Sequence, residues 1–144
     1  MIYEVQDVIA VVLAVALGSM IGWERERSGK AAGLRTNILI CLGAAVFTIL
    51  SKYMAGDGDS WTRVAAQVVS GVGFLGAGAI IQDRGGIQGL TTAATIWLVS
   101  SIGMACGAGY YVLAGLTTMI AMVVLVGVRA LEKRRRSKLE AESL

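Results

Sequence analysis

The sequence has no histidine, no proline and only two cysteines, and long stretches of it carry no charge at all. Without histidine it lacks the commonest metal ligand and general base near neutral pH. No carboxylate falls in the middle of an apolar run, so a nucleophile and base pair or a buried metal centre has nothing to be built from, and an enzyme is not expected. Cys41 and Cys106 both sit inside apolar runs and read as small core residues rather than as a disulfide or zinc framework. Without proline, any break in a helix has to come from the 19 glycines.

What is present is apolar: 56% of the 144 residues are hydrophobic. A soluble chain of this size would need polar residues along every helix, so the solvent around most of this one is expected to be lipid. The net charge of +3 does not point to nucleic acid, because the basic residues flank the apolar runs, where phospholipid headgroups lie. Residues 1–7 contain Glu4 and Asp7 and no basic residue, which is unlike a signal peptide, so the first run is expected to be retained.

Charge-free runs cover residues 8–23, 36–51, 64–82 and 85–128. The last would reach about 66 Å as one helix, twice the hydrocarbon core of about 30 Å, so it must fold back. Gly107-Ala-Gly109 supplies the turn, and Gly85-Gly86 falls in the loop before it. The expected fold is therefore an all-α integral membrane protein with five transmembrane helices, near residues 5–23, 35–54, 64–82, 91–106 and 110–129. Together these make a transmembrane domain over residues 1–130, followed by a charged tail at 131–144 whose basic run at 133–136 is expected to anchor to anionic lipid.

Orientation follows from Lys and Arg. Eleven of the 13 fall on one side: Arg25, Arg27, Lys30 and Arg35 in the first loop, Arg84 in the third, and Arg129 with the tail. Only Lys52 and Arg63 fall on the other, which places the N-terminus outside and the C-terminus in the cytoplasm. The expected location is a bacterial cytoplasmic (inner) membrane.

Two stripes of small residues bear on association. Ala10, Ala14, Gly18 and Gly22 recur every fourth residue in the first span, and Ala66, Ser70, Gly73 and Ala77 form a similar stripe in the third. Such faces let helices approach closely in lipid, within the chain or between copies, and a homo-oligomer, by preference a dimer, is expected. Residues 71–79 hold Gly71, Gly73, Gly76 and Gly78, which suit close packing or, alternatively, a discontinuous helix that opens backbone carbonyls to an ion.

The chemically versatile residues form a polar layer at the cytoplasmic helix ends: Glu24, Arg25, Glu26 and Arg27, then Arg35 and Thr36, then Asp83 and Arg84. Glu24 or Asp83 could pair with Arg35, the layer could meet a partner, or these two carboxylates could hold a partly hydrated Mg²⁺; no cofactor is otherwise expected. On the opposite side, Asp57 and Asp59 are spaced like the start of a calcium loop, but the remaining ligands are missing and the segment reads as a turn.

Four stretches carry a resemblance: GSMIGWERE at 18–26, AGLRT at 32–36, SGVGFLGAG at 70–78 and GLTTAATIW at 89–97. In this order and spacing the chain resembles the MgtC/SapB family of bacterial inner-membrane proteins. The resemblance implies a five-span domain linked to magnesium homeostasis, to growth at low magnesium and, in pathogens, to virulence. It further implies a regulator of other membrane proteins, such as ion pumps or ATP synthase, with a Mg²⁺ or other cation transporter as the alternative. Motif by motif, the residues it singles out are Glu24, Arg25, Glu26, Gly33, Arg35, Thr36, Gly73, Gly76, Gly78, Gly89, Thr91 and Thr92. Two features depart from the pattern. Longer members append a soluble domain, so a short form is expected, and Gln88 stands where many relatives carry a basic residue.

Overall fold

The fold was obtained as a computed structural model, and it describes residues 4–55, 61–83 and 86–129. Five helices follow one another: α1 (Val5–Arg27), α2 (Leu34–Met54), α3 (Trp61–Gly78), α4 (Leu90–Gly107) and α5 (Tyr111–Val123). A short antiparallel hairpin of β1 (Ile81–Asp83) and β2 (Gly86–Gln88) joins α3 to α4, and α5 continues into a π-helical turn, Val124–Val128.

Four of these helices are long and apolar enough to cross a membrane: α1, α2, α4, and α5 together with its π turn. The apolar part of α3, Ala65–Gly78, is shorter, about 21 Å of helix against a hydrocarbon core of about 30 Å. Large apolar side chains cover the outside, including Val12, Leu39, Phe74 and Val112, the reverse of a water-facing surface. The chain is thus an all-helical multi-pass membrane protein.

The helices end close to where the charge pattern suggests, with two differences. The first runs to Arg27 rather than stopping near residue 23, because Arg25 and Arg27 in its last turn suit the negative end of the helix dipole. At its other end the Glu4 backbone N–H donates to Asp7 Oδ2 at 3.2 Å, satisfying the first turn. The third helix ends at Gly78 rather than near residue 82, and the chain turns into the hairpin. Gly89 then restarts the helical path with φ +88°, and a Cβ there would lie 1.9 Å from the Ala79 carbonyl oxygen, so the corner requires glycine.

The core is shared by four helices. Ala14, Leu17 and Ile21 of α1, Cys41 and Ala45 of α2, Val99, Ile102 and Cys106 of α4, and Ala114 and Ala121 of α5 form one buried cluster, in which α5 packs on α4 and α1. The two cysteines are free and buried, as core residues. Backbone proximity makes this possible: a Cβ at Gly18 would meet Cys41 Cβ at 2.8 Å, and one at Gly103 would meet the Cys41 carbonyl oxygen at 2.1 Å. By contrast α3 joins through a smaller cluster of Ala32, Val72 and Ile96. At the end of the bundle where α1 begins, the Tyr53 hydroxyl donates to Asp7 Oδ2 and the Tyr111 hydroxyl to the Gln6 carbonyl at 2.8 Å, pinning α2 and α5 to α1.

Candidate functional site

At the opposite end, the last turn of α1 meets the first turns of α2 and α4 and the end of α5. Glu24 and Arg25 are buried there, at 8% and 3% exposure. A buried charge is costly unless it is paired or hydrogen-bonded, so their partners define the site. The Arg25 guanidinium donates from Nη2 to Thr92 Oγ1 at 2.9 Å, tying α1 to the first turn of α4, and its Nε has no partner. Glu24 accepts from the Ser28 hydroxyl at 2.6 Å and pairs with Arg129 at 3.7 Å, while Arg129 also donates to Ser28 Oγ. Arg129 is half exposed, so this pair contributes about 1 kcal/mol or less.

Glu26 does structural work on the loop. Its Oε2 accepts from the Leu34 backbone N–H at 2.8 Å, satisfying the start of α2. A Cβ on Gly33 would approach that same oxygen to 2.8 Å, so a larger residue there would displace the Glu26 side chain. Asn37 completes the closure. Its Nδ2 donates to the carbonyls of Ala32 and Gly33, both at 2.8 Å, from a position with 0% exposure, and its Oδ1 has no partner.

The layer expected from sequence is therefore assembled only in part. Glu24, Arg25 and Glu26 converge with Thr92, whereas Arg35 and Thr36 are exposed on the first turn of α2. Glu24 pairs with Arg129 instead of the anticipated Arg35, because the end of α5 reaches the last turn of α1. The Asp83 backbone pairs with Gly86 in the hairpin, but its side chain and all of Arg84 lie outside the described residues, as do Asp57, Asp59 and the tail at 131–144. With the Asp83 side chain undescribed, Glu24 is the metal candidate that can be placed. Among the described residues no three His, Cys, Asp or Glu side chains form a group that could hold a metal ion.

The packing residues divide in the same way. Ala14, Gly18 and Gly22 are buried against α2 inside the chain. Gly76 is buried beside Ala93, whose carbonyl oxygen would be 3.6 Å from a Cβ. Ser70, Gly73, Ala77 and Gly78 are exposed, and α3 runs through them as a continuous helix. Of the motif residues, Thr92 is buried in the layer, Gly89 forms the corner, and Thr91 is exposed while its carbonyl accepts from Thr95 Oγ1 at 2.7 Å.

Asn37 and Arg129 were not legible as site residues in the sequence, and the packing pair Gly103 and Gly107 lies outside the expected stripes. A neutral amide in an apolar run has no periodic signal, and the reach of Arg129 depends on how α5 docks. The spacing of Gly103 and Gly107, four residues apart, is a small-residue motif that could have been read.

The chain matches the MgtC family over residues 11–134. It is 47% identical over 118 residues to "Protein MgtC" of Brucella abortus (strain 2308), covering 82% of this chain and 49% of that protein. It is 46% identical to "Putative magnesium transporter YhiD" of Escherichia coli (strain K12), covering 82% and 58%, and 42% identical to "Protein MgtC" of Salmonella typhimurium (strain LT2), covering 88% and 54%. The chain thus spans about half the length of these curated relatives. No solved structure matches it significantly.

Proposed function

The chain belongs to the MgtC family, and from that membership we propose that it serves magnesium homeostasis and growth at low magnesium as a non-enzymatic regulator of other proteins in the bacterial inner membrane. The observation that carries this reading is the outward face of α3. The small-residue stripe of α1 is used up inside the bundle, but Ser70, Gly73 and Ala77 of α3 stand exposed beside Phe74 and Leu75. Between α3 and α2 runs an apolar groove of about 450 Å³, lined by Leu39, Phe47, Val68 and Leu75, with Gln67 of α3 also along it. In lipid, small residues permit close helix approach and an amide seeks a hydrogen-bonding partner from another helix. The face suits a second copy of this chain, giving a dimer, or a helix of a pump or ATP synthase.

The same reading takes α3 as the third of five crossings, flanked by the hairpin on the cytoplasmic side. The distribution of Lys and Arg supports it, with the N-terminus outside. A transport reading draws on the name of the Escherichia coli relative. Mg²⁺ sheds water reluctantly, and a path for it would need carboxylates or opened backbone carbonyls near the midplane. α3 is unbroken to Gly78, so the carbonyls before its last turn are taken up within the helix.

Two assays on the purified chain test the proposal. In liposomes loaded with a Mg²⁺ indicator, no saturable flux is expected; saturable flux lost in Glu24→Ala would overturn it. In membranes, Ser70→Leu with Gly73→Leu should abolish self-association or retention of a partner, and unchanged association would count against the α3 face.

A further inference from the structure

A second groove, also of about 450 Å³, lies where the last turn of α1 meets the end of α5. That volume is within the range of ligand-binding pockets. Arg27, Ser28 and Arg129 line the groove on the polar side, and Trp23, Met122 and Val126 on the apolar side. Glu24 also lines it; its Oε1 is engaged by Ser28 and Arg129 and its Oε2 has no partner, and its single negative charge leaves one of the two cations uncompensated. The groove thus retains a net positive charge.

Three features fit one class of occupant. Two arginines in one lining are a donor set suited to the oxygens of a phosphate, while the Ser28 hydroxyl already donates to Glu24 and holds that carboxylate. Trp23 stands exposed at the junction between an apolar run and a charged one, the depth at which indole rings settle in a membrane interface. Met122 and Val126 continue the groove along α5 into the apolar zone, which a freely soluble phosphate compound would leave unused. The π-helical turn Val124–Val128 also falls in this wall, and π turns concentrate at functional sites.

We propose that this groove binds the headgroup of an anionic phospholipid of the cytoplasmic leaflet. Arg27 and Arg129 take the phosphodiester, while Trp23, Met122 and Val126 pack on the glycerol backbone and the first acyl carbons. Basic pockets between membrane helices at the cytoplasmic surface recognise lipid in this way. The inference rests on the orientation given above, with the charged end of the bundle in the cytoplasm. It makes occupancy of α5 by lipid a property separate from docking through α3.

The test is native mass spectrometry of the full chain released from micelles containing phosphatidylglycerol, phosphatidylcholine or soluble glycerol 3-phosphate. One phosphatidylglycerol per chain should be retained about tenfold or more over phosphatidylcholine, and equimolar glycerol 3-phosphate should not displace it. Arg27→Gln with Arg129→Gln should reduce retention to the phosphatidylcholine level. Met122→Trp, which fills the apolar wall and leaves both charges, should also reduce it. Circular dichroism of each variant guards against misfolding, and Arg27→Gln alone, at an exposed position, should retain native helicity with partial loss. Equal retention of the two lipids, undiminished retention in the double variant, or displacement by glycerol 3-phosphate would each overturn the proposal. Ser70→Leu with Gly73→Leu should leave lipid retention intact, so failure of α3 docking and failure of this site are read apart.

Discussion

Arg25 illustrates how a single buried charge organises this bundle. Its hydrogen bond to Thr92 joins the end of α1 to the start of α4 across 67 residues of sequence. Hydrogen bonds to charged groups contribute about 1.5–3 kcal/mol, and removing one partner costs more than removing both, because a buried charge is then left unmatched. Thr92→Val should therefore destabilise the protein by about 2 kcal/mol, and the double variant Arg25→Met with Thr92→Val should be more stable than Thr92→Val alone. Reversible unfolding in mixed micelles measures both, and an additive double variant would contradict the linkage. Glu24 and Arg25 were legible in the sequence because charges abutting an apolar run must find partners. Their actual partners were not, since Thr92 is one hydroxyl among many and Arg129 comes into reach only once α5 has docked. Asn37 was missed for the same reason: an amide carries no charge to mark it, although its two bonds to the Ala32 and Gly33 carbonyls close the loop.

At the scale of the element, two stripes that look alike in sequence have opposite fates. The α1 stripe lies against α2, where a Cβ on Gly22 would fall 2.8 Å from Leu34 Cα, while nothing lies within 4 Å of a Cβ on Gly73. A stripe predicts close approach without saying to what; that is decided by the length of the connections. The tight loop after α1 brings α2 alongside, whereas the hairpin and the Gly89 corner carry α3 to the margin. The contrast predicts sharply different responses to one methyl group. Gly103→Ala should be severely destabilising, since the obstructing atom is the Cys41 carbonyl oxygen in the backbone of α2. Gly73→Ala should be neutral or stabilising by up to about 1 kcal/mol, through helix propensity alone. Thermal unfolding of the detergent-solubilised variants distinguishes them, and equal sensitivity at the two sites would refute the assignment of α3 to the outside.

At the scale of the molecule, the all-helical, apolar character of the chain was legible in the sequence, because it follows from the incompatibility of charge with hydrocarbon; of the five expected spans, four helices are long and apolar enough to cross. The sequence carried the boundary of α3 less well: glycine density signals a possible break but not its place, and the chain leaves the helix at Gly78 to form the hairpin. The orientation proposed from Lys and Arg predicts the labelling of introduced cysteines in intact cells. Arg35→Cys should be shielded from an impermeant thiol reagent until the membrane is opened, and Met54→Cys, at the other end of α2, should react from outside. The reverse pattern would invert the topology, and with it the leaflet that supplies lipid to the groove between α1 and α5.

Docking through α3 is most directly tested by photo-crosslinking in native membranes, with a photoreactive side chain placed at Ser70 or, for comparison, at Val112 of α5, which is 85% exposed. Protein adducts at position 70, to a second copy or to another membrane protein, with lipid adducts alone at position 112, are the expected result. Lipid adducts alone at both positions would contradict regulation through the α3 face.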